Sequence, residues 1–226
     1  SDSRDEALEL WQEVSELTER TGDKTGMLEA SRMAVDIAPD DDQLLDKQLT
    51  MLRELERYDE LEGLLRQKAV QAKTDSSAGN YLYQLAVLKE TQRGDIDGAI
   101  REYTEALRRE RHHSGAFDAL RRLFHGLERH DDLCLLLTER AQLERDDSSA
   151  AQLWSGAADI FLGPLADSER ASEALESALG RDAKNVEVLS KYCRLLETQG
   201  RLADLAPQLV CLGELTEEPS DRTRLN

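Results

Sequence analysis

The chain is poor in aromatic residues, proline and cysteine. Phe, Tyr and Trp make up 4% of its 226 residues, beside 4 Pro, 13 Gly and 3 Cys. So few prolines and glycines leave little to interrupt helices, and Leu, Ala, Glu and Arg, which are good helix formers, abound. No run of β-branched residues alternates with polar ones over strand length, so strands are not expected. No apolar stretch reaches the length of about 20 residues needed to span a bilayer, and no signal peptide is visible. The first residue is Ser1, which leaves room for a removed leader. Cys134, Cys193 and Cys211 form an odd set without framework spacing, so free thiols in a reducing compartment, the cytoplasm, are expected. Basic residues are also in deficit, 29 against 47 acidic ones, for a net charge of −18. Nucleic acids and anionic membranes both require basic surface, so neither is an expected partner. The deficit is uneven: residues 73–144 carry 11 basic and 13 acidic groups, net −2, against net −10 before them and −6 after.

With 39% hydrophobic and 34% charged residues, the chain is too apolar and too patterned for disorder. Its pattern repeats. ERYDELEGLLRQKA begins at Glu56 and ERHDDLCLLLTERA begins at Glu128, 72 residues later. The same step aligns Arg57, Arg129 and Arg201; Leu61, Leu133 and Leu205; and Leu65, Leu137 and Leu209. It also aligns Leu45, Phe117 and Leu189; Leu52, Phe124 and Leu196; Leu10, Leu82 and Trp154; and Ala34, Ala106 and Ala178. Half the step gives Asp23, Asp59, Asp95, Asp131 and Asp167, each after a short polar turn and before an amphipathic run. Asp suits a helix N-cap, so each 36-residue unit reads as helix A, turn, Asp cap, helix B. Leu61, Leu64, Leu65 and Ala69 form one helical apolar stripe, and small residues at Ala69 and Ala141 allow close helix approach. One such hairpin cannot bury its apolar face alone, but a stack of them can.

LYQLAVLKETQRGDIDGAIREYTEAL, from Leu82 to Leu107, resembles a tetratricopeptide repeat through Ala86, Gly94-Asp95, Ala99-Ile100, Tyr103 and Ala106-Leu107. IAPDD from Ile37 is similar to that family's terminal Pro segment, and the paired phrasing resembles long arrays in large bacterial repeat proteins. The units exceed the family's 34-residue consensus by two, and most lack its terminal Pro. Pentatricopeptide repeats have a similar period but are basic, and the Gly-rich signatures of Sel1-like repeats are missing. The resemblance implies an all-α, right-handed α-solenoid of about six hairpins. They fall at residues 3–38, 41–72, 76–111, 114–145, 148–182 and 185–216, with a seventh starting at 219. The reading is one continuous domain over 1–226, cut from a longer array.

Catalytic and metal chemistry find no support. His112 and His113 stand at an inter-repeat turn, and His125 and His130 are five apart, not the four that align ligands on a helix face. APDDD, from Ala38, lacks the glycine and bidentate Glu of a calcium loop. No phosphate-binding Gly loop or nucleophile elbow is present. Cys134 on a helix B and Cys193 on a helix A read as packed thiols. RRERHH, from Arg108, with Arg121 and Arg122, is the most basic stretch, but the nearby Phe117 and Phe124 have core register and do not suit base stacking. No enzyme activity, metal or cofactor is expected.

The resemblance instead implies a groove lined by helices A that holds a protein or peptide segment. Outward positions of those helices are Lys47, Thr50 and Arg53; Asn80, Tyr83, Gln84 and Val87; Asp118, Arg122 and His125; and Lys191 and Arg194. The recurring cations point to an acidic segment or a C-terminal carboxylate, although the family's Lys/Asn carboxylate-clamp set is not reproduced. The bland alternative is cations that pair with helix acids and keep the surface soluble. A structural spacer or self-associating segment is the alternative function. A sensor region attached to a catalytic domain outside this chain is a weaker third.

Overall fold

The computed structural model describes residues 20–38 and 41–221, together with Glu9, Trp11, Glu13, Val14 and Leu17; the side chains of residue 42 and residues 217–221 are excluded. Leu10, Pro39, Asp40 and residues 222–226, which enter the repeat reading, lie outside this set. The chain divides into two compact units, residues 1–110 and 111–226. All regular structure among the described residues is helical.

The described positions from 9 to 21 are helical, apart from those excluded. In the first unit α1 (Lys24–Ile37), α2 (Asp42–Glu54), α3 (Tyr58–Gln71), α4 (Asp75–Leu88) and α5 (Ile96–Arg109) follow. Between α4 and α5 the helix continues through one π turn, Lys89–Arg93. The second unit contains α6 (Ser114–Gly126), α7 (His130–Leu143), α8 (Asp147–Leu162), α9 (Ser168–Arg181), α10 (Val186–Thr198) and α11 (Leu202–Asp221). Within each unit the helices pack on their chain neighbours, α4 on α3 and α5, α8 on α7 and α9. This is the hairpin repeat of the α-solenoid class, with helices α2, α4, α6, α8 and α10 in the A position.

The apolar spacing becomes burial. Leu28, Leu45, Leu49, Leu52, Leu61, Leu65, Leu85 and Leu88 form one cluster in the first unit. Each fully buried leucine contributes about 1.5–3 kcal/mol. The small positions Ala34, Ala106, Ala141 and Ala178 are buried in helices B, where a larger side chain would hold the neighbours apart. Phe117 and Phe124 are core residues, as their register implies.

The 36-residue unit needs correction. Asp23, Asp95 and Asp167 are N-caps, and their carboxylates accept from the backbone N–H of Gly26, Gly98 and Arg170. Asp59 and Asp131 are not caps. They lie in the first turn of α3 and α7, whose N-cap residues are Arg57 and Arg129 and have no side-chain cap bond. The left-handed residue before each helix B is Gly22, Glu56, Gly94, Glu128, Ala166 or Gly200, so the spacing alternates between 34 and 38. The 72-residue period therefore joins a short hairpin to a long one. Helix A has 13 residues in α2, α6 and α10. It has 16 in α8, and in α4 it has 14 plus the five-residue π turn.

The aligned arginines belong to the short hairpins. Arg57 pairs with Glu60, Arg129 with Asp132 at 2.7 Å and Arg201 with Asp204 at 2.8 Å. In each case the helix before closes by a bond across its end, Arg57 N to Leu52 O, Arg129 N to Phe124 O and Arg201 N to Leu196 O, all 2.9 Å.

Candidate functional site

Among the described residues a groove opens between successive helices A in each unit. In the first unit, α2 and α4 enclose about 360 Å³, lined by Arg53, Tyr58, Tyr83, Gln84, Val87, Leu88, Thr91 and Gln92. Arg53 donates through Nη2 to Gln84 Oε1, which bridges the walls. Tyr83 packs at a tilt on Tyr103, 5.6 Å between ring centres.

In the second unit, α6 and α8 form the walls and α7 the floor of a larger groove of about 800 Å³. Asp118, Arg121, Arg122 and His125 project from α6, Arg140 and Glu144 stand beyond the floor, and Phe117, Leu133, Leu137 and Leu153 supply apolar surface. Arg121 pairs with Asp118 at 3.3 Å. The guanidinium groups of Arg121 and Arg140 lie 6.0 and 5.4 Å from the centre of the Phe117 ring, within reach of its negative face.

The linings of the two grooves correspond at two positions of the repeat, Arg53 with His125 and Gln84 with Gly156. One repeat step carries Gln84 to Gly156 and Tyr81 to Leu153, so the second groove loses the side chain that bridges the first. The step also carries Leu49 to Arg121 and then to Cys193. Leu49 and Cys193 are 1% and 5% exposed, whereas Arg121 is an exposed groove residue.

Arg53, Tyr83, Gln84 and Val87 line the first groove, and Asp118, Arg122 and His125 the second. Lys47, Asn80 and Arg194 are exposed on their helices but line neither. Lys191 is half-buried, with Nζ 2.9 Å from Asp159 Oδ2, 3.1 Å from Ser155 Oγ and 3.3 Å from Glu187 Oε1. Burial acts to lower its pKa, but the bond to Asp159 and the nearby carboxylates outweigh it and the net shift is upward. This cation is engaged within the protein. Arg121 was noted in the sequence only as part of a basic stretch, and Arg140 and Gly156 did not stand out; the signal at Arg121 and Gly156 is a departure from the residues one repeat step away.

The histidines take other places. His113 is the N-cap of α6, its Nδ1 accepting from Ala116 N at 3.1 Å. No group of three or more His, Cys, Asp or Glu side chains able to hold a metal ion occurs among the described residues. No described helix is long and apolar enough to cross a membrane.

No family model and no curated protein sequence matches the chain. Its likeness is to solved structures. A crystal structure of MamA is 12% identical over 98% of this chain and 97% of that one, with a TM-score of 0.43. A tetratricopeptide repeat protein from Parabacteroides merdae is 14% identical over 97% and 89%, with a TM-score of 0.46. The structure of Naa15/Naa10 bound to HypK-THB gives 14% identity and a TM-score of 0.53 over 98% of this chain, which spans 34% of the matched one. The fold is a tetratricopeptide-like helical repeat.

Proposed function

We propose that the chain is a non-catalytic scaffold that binds a protein or peptide segment along the grooves lined by its helices A. The observation that carries this reading is the α6–α8 groove, where cationic side chains stand above an apolar floor. Such a surface offers charge-assisted contacts to a carboxylate and burial to an apolar side chain. The solved structures share the fold, and one is described as a yeast Sti1 TPR2AB domain with an Hsp90 peptide.

The test is a pull-down on immobilised protein, read by mass spectrometry, with Arg122→Glu plus Arg194→Glu as the charge control. Arg122 lines the α6–α8 groove and Arg194 occupies the next position of the same register. A protein retained by the wild type, released by added salt and absent from a folded double variant supports the reading. Equal capture by both overturns the charge-dependent groove.

A further inference from the structure

Within that scaffold reading, we infer that the α6–α8 groove is the chain's specificity pocket, and that its ligand is a short extended peptide with one apolar side chain flanked by carboxylates. Three features carry the inference. First, α6 has a charge unlike its sister helices. It holds Arg121 and Arg122 against Asp118, while α2 holds Lys47 and Arg53 against Asp42, Asp46 and Glu54, and α10 balances Lys191 and Arg194 against Glu187 and Glu197. A cationic wall in a chain of net charge −18 is a local choice of sign.

Second, Arg121 occupies a position that the neighbouring repeats use for a buried apolar residue, Leu49 or Cys193. Its side chain is 56% exposed and its pairing with Asp118 is solvent-accessible. Such a pair contributes little to the fold, so a ligand carboxylate can replace Asp118 at small cost. At this one position the α6–α8 groove is open where the neighbouring repeats are packed.

Third, Gly156 sits inside α8, where glycine costs about 0.5–1 kcal/mol against alanine. Packing does not ask for it. A Cβ at this position would meet only Leu137 Cδ1, at 3.9 Å, an ordinary contact. Gly79 in α4 differs, since a Cβ there would come within 3.1 Å of Glu110 Cβ and 3.3 Å of Ala106 O. Gly156 lines the groove, so its missing side chain leaves space there.

Dimensions set the length. Ser114 to His125 on α6 spans about 16 Å at about 1.5 Å per residue. An extended peptide covers that in about five residues at about 3.3 Å each. The apolar side chain rests against Phe117, Leu137 and Leu153 above Gly156, and carboxylates on either side meet Arg121 and Arg122, while Arg140 stays paired with Glu144 at 3.8 Å.

The probe is a fluorescein-labelled nonapeptide of Asp and Glu with a central Leu, read by fluorescence anisotropy. Comparison probes carry a central Ser, or Lys in place of every acid; a single-stranded oligodeoxynucleotide reports on anion binding of any kind. The wild type is expected to bind the Leu peptide at least tenfold more tightly than each comparison probe. Gly156→Gln, which restores the side chain found at Gln84, is expected to weaken binding at least tenfold while leaving the thermal midpoint equal or higher. Arg121→Ser with Arg122→Ser is expected to do the same through charge. Equal binding of the oligonucleotide or Lys peptide, full binding by Gly156→Gln, or no binding of the Leu peptide overturns the assignment. A partner captured by the wild type and lost with Arg122→Glu plus Arg194→Glu, but retained by Gly156→Gln, removes this pocket and leaves the scaffold reading standing.

Discussion

Gly156→Ala tests the open groove without reference to any ligand. Alanine in place of glycine inside a helix gains about 0.5–1 kcal/mol, because the unfolded chain loses conformational freedom. The new methyl group meets one atom, Leu137 Cδ1, at 3.9 Å, so no overpacking opposes the gain. For a cooperative unit of 150–250 residues this corresponds to a rise of about 1–4 °C in Tm. Differential scanning calorimetry of the whole chain measures it, with urea unfolding as a second reading of the same free energy. Gly79→Ala is the internal control, since its methyl group presses on Glu110 and the carbonyl of Ala106 in the first unit. That substitution is expected to forfeit the helix gain or to lose about 1 kcal/mol. A loss of stability in Gly156→Ala equal to or greater than that in Gly79→Ala would refute the reasoning, because the space above Gly156 would then be filled by the protein itself.

Four further outcomes follow from the local chemistry. Glu128 adopts φ of +55° where the next short hairpin has Gly200, so Glu128→Gly is expected to stabilise by about 1 kcal/mol in urea unfolding. Lys89 is buried against Glu102 at 2.7 Å, so Lys89→Met is expected to destabilise by about 3 kcal/mol. Lys89→Phe with Glu102→Ala copies the buried Phe161 and Ala174 one repeat step away and is expected to recover most of that loss, measured by urea unfolding. Burial pushes the Cys134 thiol up to about 11 and raises that of Cys193, while Cys211 is only half-buried. Iodoacetamide at pH 8 is expected to label Cys211 first, with the other two reacting only in urea, and equal labelling by mass spectrometry counts against the buried assignments. The cap carboxylates lie below the usual range, Asp146 through the hydroxyl and then the N–H of Ser149, Asp167 through the N–H and then the side chain of Arg170. Their contribution is complete above the unfolded value of about 3.9 and disappears as the pH falls through the lowered folded values. Asp146→Asn with Asp167→Asn keeps the caps but is expected to flatten the acid limb of the stability profile.

The fold was legible because helix starts recur at fixed positions. Asp41, His113 and Asn185 cap the short hairpins' helices A, while Thr74 and Asp146 cap those of the long hairpins, each set at the 72-residue step. Residue type alone misled in the half-step. An aspartate is favourable both as an N-cap and in the first turn of a helix, so Asp95 and Asp131 look alike in sequence although only the first caps. The alternation of 34 and 38 residues was hidden because glutamate occupies the left-handed positions at 56 and 128 that glycine marks at 22, 94 and 200.

The candidate groove was legible in part for a related reason. Helical register identifies the outward side of a helix, and Arg53, Tyr83, Gln84, Val87, Arg122 and His125 do line open space. Register does not show which outward side chains are already engaged, as Lys191 is by Asp159. Nor does it show where the wall is missing. Arg121 and Gly156 match nothing, so alignment for likeness passes over them. Positions that agree across a repeat are held by the packing every hairpin shares, since Leu61 and Leu133 must fill the same space. A position that departs from its counterparts is released from that demand, and the groove opens at two such departures on facing helices. In a chain whose scaffold is written three times over, the departures hold the information that distinguishes one binding surface from the next.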